Sequence, residues 1–289
     1  MAARRAPAGG VYVAPAVLPF HDDNPVSSPP IVTWLIIAAC IGVFLFWQPT
    51  PFSNTVEDVE FNVENAAIPC ELVQGRPLDI KEAVATYNDG DDMACDIDGG
   101  QSPAYDPGKN VYLAVVTSMF LHGGLLHIGG NLLFLWVFGN NVEEAFGKVG
   151  YALFYLAGGV VATLTHVVLN LDSTVALVGA SGAIAAVMGA YFVLFPRAKV
   201  RTAVFVLLIF FVNLQARIVL GFWFLLQFFT DPNEGVAWAA HVGGFLFGVL
   251  VGLIVRALKR PEPAPRPYPP LGPRDSWGNH PRGGWGSWR

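Results

Sequence analysis

The chain alternates long apolar runs with polar connections, and this pattern predicts a membrane protein built from helices. A helix rises about 1.5 Å per residue, so about 20 apolar residues cross the ~30 Å hydrocarbon core of a bilayer. The predicted fold class is an all-α polytopic membrane protein, a bundle of six transmembrane helices. The predicted spans are residues 31–47, 125–138, 150–171, 175–195, 216–229 and 237–258.

The region between the fourth and sixth spans is the hardest to interpret. It is largely apolar, but Asn213, Gln215 and Arg217 interrupt it. An arginine at the bilayer centre costs at least about 2.5 kcal/mol, so Arg217 is expected at a membrane edge. We therefore assign the span to 216–229 and expect residues 200–213 to form a membrane-associated loop or a short helix.

The polar stretches define the domain organisation. We predict an N-terminal arm at 1–30, a first transmembrane helix at 31–47, a long loop at 48–124, a transmembrane core at 125–258 and a tail at 259–289. The tail is rich in Pro, Gly, Trp and Arg, and such a composition predicts disorder because it cannot bury an apolar core.

Charge is unevenly distributed over these connections. Thirteen Asp or Glu residues lie between 48 and 109, against three basic residues. Cytoplasmic loops of membrane proteins are enriched in Lys and Arg. The loop at 48–124 is therefore expected outside, with both termini in the cytoplasm, and the compact six-span form favours a bacterial plasma membrane. Basic residues on the predicted cytoplasmic side include Lys148, Arg197, Lys199, Arg201, Arg256, Lys259 and Arg260.

Composition narrows the classes of protein further. Hydrophobic residues make up 53% of the 289 residues and charged residues 13%, with a net charge of −5. Soluble domains carry roughly 25% charged residues, which argues against a soluble domain and makes the lipid bilayer the expected surroundings. No basic patch with interleaved aromatic residues is present, so nucleic acid is not an expected partner.

Two of the three cysteines, Cys70 and Cys95, lie in the long polar loop, and Cys40 lies in the first apolar run. Cysteines that face an oxidising compartment can form a disulfide. The sequence alone leaves open whether Cys70 and Cys95 do so.

Polar residues near the beginnings of three apolar runs are the candidate functional site. Ser181 lies near the start of the fourth span, His241 near the start of the sixth, and His127 and Asn131 near the start of the second. His127 and Asn131 are four residues apart and share one helix face. Ionisable residues within a membrane are costly and are commonly functional. The four candidate residues lie at a common depth, in the outer third of the membrane. This common depth predicts a hydrolytic site within the bilayer.

The residue types suggest a role for each member of this site. A serine hydroxyl is a weak nucleophile without a base, and His241 can accept the proton of Ser181. No Asp or Glu lies in the outer half of any span, so we expect a Ser–His dyad rather than a triad. The backbone amide of Ser181, at a helix N-terminus, and the side chains of His127 and Asn131 can donate hydrogen bonds to an oxyanion.

Each of these features has a structural alternative. Small-residue spacing around Ser181 is common in helix packing, and a histidine in a span can simply hydrogen-bond another helix. His127 and Asn131 could join two helices or bind a metal ion. Zinc is disfavoured because no carboxylate or thiolate accompanies His122, His127 and His241, so neither a metal nor a cofactor is expected.

Small residues on two spans predict a close helix contact. Because small side chains let helix backbones approach, the fourth and sixth spans are expected to pack tightly and to bring Ser181 within reach of His241. These residues are Gly182, Ala185, Ala186 and Gly189 on the fourth span, and Gly243, Gly244 and Gly248 on the sixth.

Taken together, these motifs resemble the rhomboid family of intramembrane serine proteases over roughly residues 18–258. The resemblance implies Ser181 as nucleophile, His241 as base, and His127 and Asn131 in the oxyanion hole. It also implies substrates that are single-pass membrane proteins, cleaved near the outer membrane edge. The segments that carry it are PFHDDNP at 19–25, TSMFLH at 117–122, His127 to Asn131, GNNVE from 139 to Gly147, VGASGA at 178–183 and AHVGG at 240–244.

The chain also departs from the family's pattern. Some members carry a Trp-Arg pair where this chain has Leu113 and Ala114, so another anchor is expected for the first loop, and a Cys70–Cys95 bridge is a candidate brace. Some members carry an aromatic residue four positions after the serine, where this chain has Ala185, so other packing must hold the histidine. A non-catalytic rhomboid-like protein that binds or escorts client helices is the alternative function.

Overall fold

The computed structural model describes residues 16–49, 56–205, 209–230 and 237–258. Half of the predicted N-terminal arm, residues 1–15, and the whole predicted tail, 259–289, lie outside the described residues. In chain order the elements are β1 (Ala16–Asp22), α1 (Ile31–Phe46), α2 (Val56–Asn65), α3 (Pro69–Gln74), α4 (Ile80–Val84), α5 (Ala114–Thr117), α6 (Leu125–Phe146), α7 (Lys148–Leu169), α8 (Ser181–Leu194), β2 (Lys199–Phe205), β3 (Ile209–Gln215), α9 (Ala216–Leu226) and α10 (Trp238–Leu258). A π-helical turn (Ala85–Asp89) and two 3₁₀ turns (Ser118–Phe120 and Gln227–Phe229) extend α4, α5 and α9.

The apolar helices fall into two length classes. Within the described residues, α6, α7 and α10 are long and apolar enough to cross a membrane. The other apolar helices, α1, α8 and α9 with its 3₁₀ turn, are shorter. The molecule is thus mostly helical, as predicted.

A three-stranded antiparallel sheet makes the all-α prediction wrong. β2 lies between β1 and β3, with Lys199 opposite Gln215 and Asp22 opposite Val200. Residues 200–205 and 209–213 therefore lie in strands rather than in a loop or short helix. The physical reason is visible at the start of β2, where buried Val200 and Thr202 alternate with exposed residues, the period of a strand with one covered face.

The fourth apolar helix begins later than predicted. Residues 175–180 are not helical, and α8 begins at Ser181. The Leu177 amide donates to the Ala67 carbonyl at 2.8 Å and the Gly179 amide donates to the Ser118 carbonyl at 2.9 Å. Because these backbone groups are paired with neighbouring segments, they are not available for a helix ladder.

Helix α8 lies in the centre of the core, with every residue from Gly182 to Tyr191 buried. The predicted close contact between the fourth and sixth spans is confirmed. A Cβ atom placed on Gly244 would lie 2.2 Å from the Gly182 carbonyl oxygen, and one on Gly248 would lie 1.9 Å from the Ala186 carbonyl oxygen. Only glycine permits α10 to approach the α8 backbone this closely.

Residues 56–113 form a small folded unit, which we call the loop domain. A disulfide joins Cys70 and Cys95, whose Cα atoms are 5.7 Å apart, and this settles the pairing that the sequence left open. Glu71 and Lys109 form a buried ion pair at 2.5 Å. Burial raises the pKa of Glu71 and lowers the pKa of Lys109, because each charge has lost its water.

A second network in the loop domain is centred on the buried carboxylate of Glu82. The Arg76 guanidinium donates to both of its oxygens at 3.0 and 3.1 Å, and the amides of Asp79 and Asp96 donate at 2.8 and 2.7 Å. Burial alone would raise the pKa of Glu82, but these donors outweigh it and hold the pKa below its ordinary value of 4.5.

The Glu82 network predicts acid sensitivity of the loop domain. A carboxyl whose pKa is lower in the folded state stabilises the fold above its unfolded pKa and loses that contribution as the pH falls. We expect amide hydrogen exchange in the loop domain to accelerate as the pH drops below about 4.5, after correction for intrinsic exchange. Glu82→Gln should exchange faster at neutral pH and respond less to acid. An equal acid response in both proteins would contradict this role.

Candidate active site

Ser181 and His241 meet at the contact between α8 and α10. Ser181 is the first residue of α8, and His241 lies one turn into α10. His241 Nε2 is 2.8 Å from Ser181 Oγ, which is hydrogen-bonding distance. The glycines at the contact of α8 and α10 make this approach possible. The arrangement can transfer the serine proton to the imidazole.

His127, in the first turn of α6, reaches the same place from another helix. A Cβ atom placed on Gly179 would lie 2.8 Å from His127 Nε2 and 3.6 Å from Ser181 Oγ, so the imidazole and the serine hydroxyl both lie close to this glycine. Gly179 has φ +122°, a conformation that favours glycine. The Gly123 amide donates to His127 Nδ1 at 3.2 Å. The neutral ring therefore carries its hydrogen on Nε2.

Asn131 lies one turn further along α6 and is buried. Its Nδ2 donates to the His127 carbonyl at 2.9 Å. Since an amide nitrogen carries two hydrogens, a second donor remains after this bond. One hydrogen of the Asn131 side chain is thus bonded within its own helix, and the other can serve a second acceptor.

The four predicted site residues line one cavity of about 520 Å³. The cavity also contacts Gly179, Trp223 and Met188. Ser181 can donate its backbone amide here, because the first amides of a helix have no partner within the helix. A hydroxyl, an imidazole and several hydrogen-bond donors therefore converge on one space.

The loop domain fixes the segment that leads into Ser181. The Cys70 amide donates to the Ser173 carbonyl at 2.9 Å, and the Thr86 and Thr174 hydroxyls lie 2.6 Å apart. Together with the bond from Leu177 to Ala67, these contacts hold residues 173–177 on the loop domain. The same end of the helical bundle therefore carries both the loop domain and the cavity.

Within the described residues, two further side chains contact His241, and neither contact is predicted from the sequence. Gln227 Oε1 is 2.7 Å from His241 Nδ1. The Trp223 ring lies 5.6 Å from the imidazole, centroid to centroid. The group that faces His241 Nδ1 is thus a neutral amide. The signal in the sequence was a lone glutamine within an apolar run.

Near the cavity, His122 is buried and packs edge-on against His127, with ring centroids 5.4 Å apart. Its backbone amide and carbonyl both bond the Gln48 side chain, at 3.0 and 2.9 Å. These contacts tie the end of α1 to the segment before α6, which gives His122 a structural role beside the cavity.

Within the described residues, one group of three potential metal ligands lies close together, formed by Cys70, Glu82 and Cys95. The two sulfur atoms are joined in the disulfide and the carboxylate is bound by Arg76. Since the thiolate is the sulfur species that binds metals, this group does not fit a metal ion.

Comparison with known proteins identifies a matching family model and several relatives. A family model described as the Rhomboid domain matches residues 109–258. The chain is 32% identical over 161 residues to Rhomboid protease GlpG of Haemophilus influenzae, a match that covers 55% of this chain and 77% of that protein.

Two further relatives match a similar share of this chain. Rhomboid-related protein 2 of Mus musculus is 32% identical over 143 residues, 48% of this chain and 47% of that protein. Rhomboid protein 1, mitochondrial, of Saccharomyces cerevisiae is 29% identical over 152 residues, 48% of this chain and 41% of that protein. The chain thus spans about half the length or less of these two relatives.

Proposed function

The chain belongs to the rhomboid family, and on that premise we propose that it is an intramembrane serine endopeptidase. Ser181 is the nucleophile and His241 the base, and the substrates are single-pass membrane proteins cleaved near the outer membrane edge. The observation that carries the proposal is the 2.8 Å contact between Ser181 Oγ and His241 Nε2 in a cavity lined by further donors.

The proposed reaction follows from these positions. Ser181 Oγ attacks the carbonyl carbon of the scissile peptide bond while its proton moves to His241 Nε2. The carbonyl oxygen becomes an oxyanion that accepts hydrogen bonds from the Ser181 amide, His127 Nε2 and the second Asn131 hydrogen. When the C–N bond breaks, the imidazolium gives its proton to the leaving amine. Water then hydrolyses the acyl-enzyme with His241 again as base.

We further propose that α1, α6, α7, α8, α9 and α10 are six membrane spans. The shorter helices fit because α8 begins within the bundle, with its first amides facing the cavity rather than lipid. Substrate helices would enter from the bilayer, and water would reach Ser181 from the side that carries the loop domain.

Orientation rests on two independent features. A disulfide persists in an oxidising compartment, so the Cys70–Cys95 bond supports a loop domain outside the cytoplasm. Basic residues at the opposite end of the bundle, such as Lys148, Arg197 and Arg256, support a cytoplasmic location for that end. Both features favour cytoplasmic termini, and we propose a bacterial plasma membrane.

The test is purified protein in liposomes with a model single-pass substrate, beside labelling with a fluorophosphonate. We expect cleavage of the substrate at one site near the outer edge of its span. Mass spectrometry is expected to find the phosphonate adduct on Ser181. An absence of cleavage across several substrates, together with unlabelled Ser181, would overturn the proposal and favour a protein that binds client helices without cutting them.

A further inference from the structure

His241 is held from two sides, and only one of them is the proposed nucleophile. Its Nε2 faces Ser181 Oγ at 2.8 Å, and its Nδ1 faces Gln227 Oε1 at 2.7 Å. Gln227 follows α9 in the 3₁₀ turn and is buried, with 7% of its surface exposed. A buried amide that contacts the base directly is well placed to fix the orientation of the His241 ring.

The orientation of the Gln227 amide is determined by a second contact. Its Nε2 donates to the Trp223 carbonyl at 2.9 Å. A backbone carbonyl only accepts hydrogen bonds, so the nitrogen of the amide must face Trp223. The oxygen therefore faces His241, independently of how the two similar ends of the amide are assigned.

This orientation selects one tautomer of the imidazole. An amide oxygen accepts and cannot donate, so His241 Nδ1 must carry the hydrogen of the neutral ring. The lone pair then lies on Nε2, which is the nitrogen 2.8 Å from Ser181 Oγ. In the opposite tautomer, Nε2 would carry a hydrogen and could not accept the serine proton.

The same turn of chain also packs the ring. The Trp223 side chain lies against His241 with 5.6 Å between ring centroids, and it also contacts Phe245 at 6.2 Å. The position four residues after the serine is Ala185, which is fully buried and too small to hold the imidazole. Trp223 thus restrains the ring plane, while Gln227 restrains its rotation.

We infer that Gln227 is a positioning residue for the base, so that Ser181, His241 and Gln227 form a hydrogen-bonded series that ends in a neutral amide. The inference rests on the proposed function. Gln227 acts through His241 and does not touch the reacting carbonyl. Its contribution is to hold the productive tautomer and to accept a hydrogen bond from the imidazolium after proton transfer.

Two variants of similar length isolate the acceptor. Gln227→Glu keeps an oxygen at His241 Nδ1, whereas Gln227→Met removes it. Both lose the hydrogen that reaches the Trp223 carbonyl, so a difference between them reports the oxygen, with its charge, that Gln227→Glu keeps at His241 Nδ1. Gln215→Met makes the same change at the start of α9, where the side chain accepts from Arg217, and serves as the control.

The measurements are kcat and KM for the model substrate in liposomes, and the rate at which the fluorophosphonate labels Ser181. We expect Gln227→Met to lower kcat and labelling by about 10- to 100-fold, less than the about 10⁴-fold cost of disabling a charged partner of a catalytic histidine. KM should stay close to the parent value. Gln227→Glu should recover most of the loss, and Gln215→Met should match the parent.

Equal rates in Gln227→Met and Gln227→Glu, with an active parent, would overturn the inference and leave the proposed function standing. An inactive, unlabelled parent would overturn both. The tautomer can also be tested without any variant of Gln227. The ¹⁵N spectrum of histidine-labelled parent, assigned by comparison with His241→Ala, should show the hydrogen of neutral His241 on Nδ1. A hydrogen on Nε2 would exclude the inference.

Discussion

Replacing Ser181 with Ala is expected to lower kcat by about 10⁶-fold, and replacing His241 with Ala by nearly as much. The double variant should be no slower than either single variant. The reason is that the two side chains act as one unit. Without the imidazole, the hydroxyl 2.8 Å away keeps its proton and remains a poor nucleophile, and without the hydroxyl the imidazole has nothing to activate.

The size of this effect separates a protease from a client-binding protein. Both kinds of protein would bind a substrate helix, so both would retain binding in Ser181→Ala. Only the protease loses turnover. The measurement is therefore single-turnover cleavage in liposomes, with substrate co-purification recorded for the same variants.

Matched controls are available in parts of the chain away from the cavity. Ser102 bonds Asp98 in the loop domain, and His21 is a largely exposed residue of β1. Ser102→Ala and His21→Ala should cleave at the parent rate. If Ser181→Ala kept substantial activity, or if the double variant were slower than either single variant by the product of the two losses, the dyad would be wrong.

The limits of the sequence interpretation have identifiable physical causes. The spans at 31–47 and 216–229 agree with the helices nearly to the residue, because Pro30 and the polar residues before Ala216 interrupt the apolar runs. The start of α8 was predicted six residues too early. Hydrophobicity cannot reveal that the Leu177 and Gly179 amides are taken by Ala67 and Ser118.

The sheet and the contacts of His241 escape prediction from the sequence for two other reasons. β2 and β3 were interpreted by their average hydrophobicity, although the alternation of buried Val200 and Thr202 with exposed residues is a strand pattern. Gln227 is fourteen residues from His241. Its contact depends on how α9 packs against α10, which no local pattern encodes. By contrast, Ser181 and His241 were conspicuous as polar residues in apolar runs.

Among glycine-to-alanine substitutions in α10, Gly248→Ala is expected to destabilise the fold most. The new Cβ would lie 1.9 Å from the Ala186 carbonyl oxygen and 2.7 Å from its carbon. Both are backbone atoms of a buried helix, so no side chain can rotate out of the way. The helices must separate, at a cost at or above the upper end of the about 1–3 kcal/mol usual for overpacking. Since Ser181 and His241 depend on the same contact, activity should fall with stability.

The control is the same substitution on a different helix. A Cβ on Gly42 of α1 would meet no atom within 4 Å, and alanine is about 1 kcal/mol more favourable than glycine within a helix. Gly42→Ala should therefore unfold at or above the parent temperature in detergent, whereas Gly248→Ala should unfold well below it. If both variants melted together with the parent, the close contact of α8 with α10 would not be what brings the serine and the histidine together.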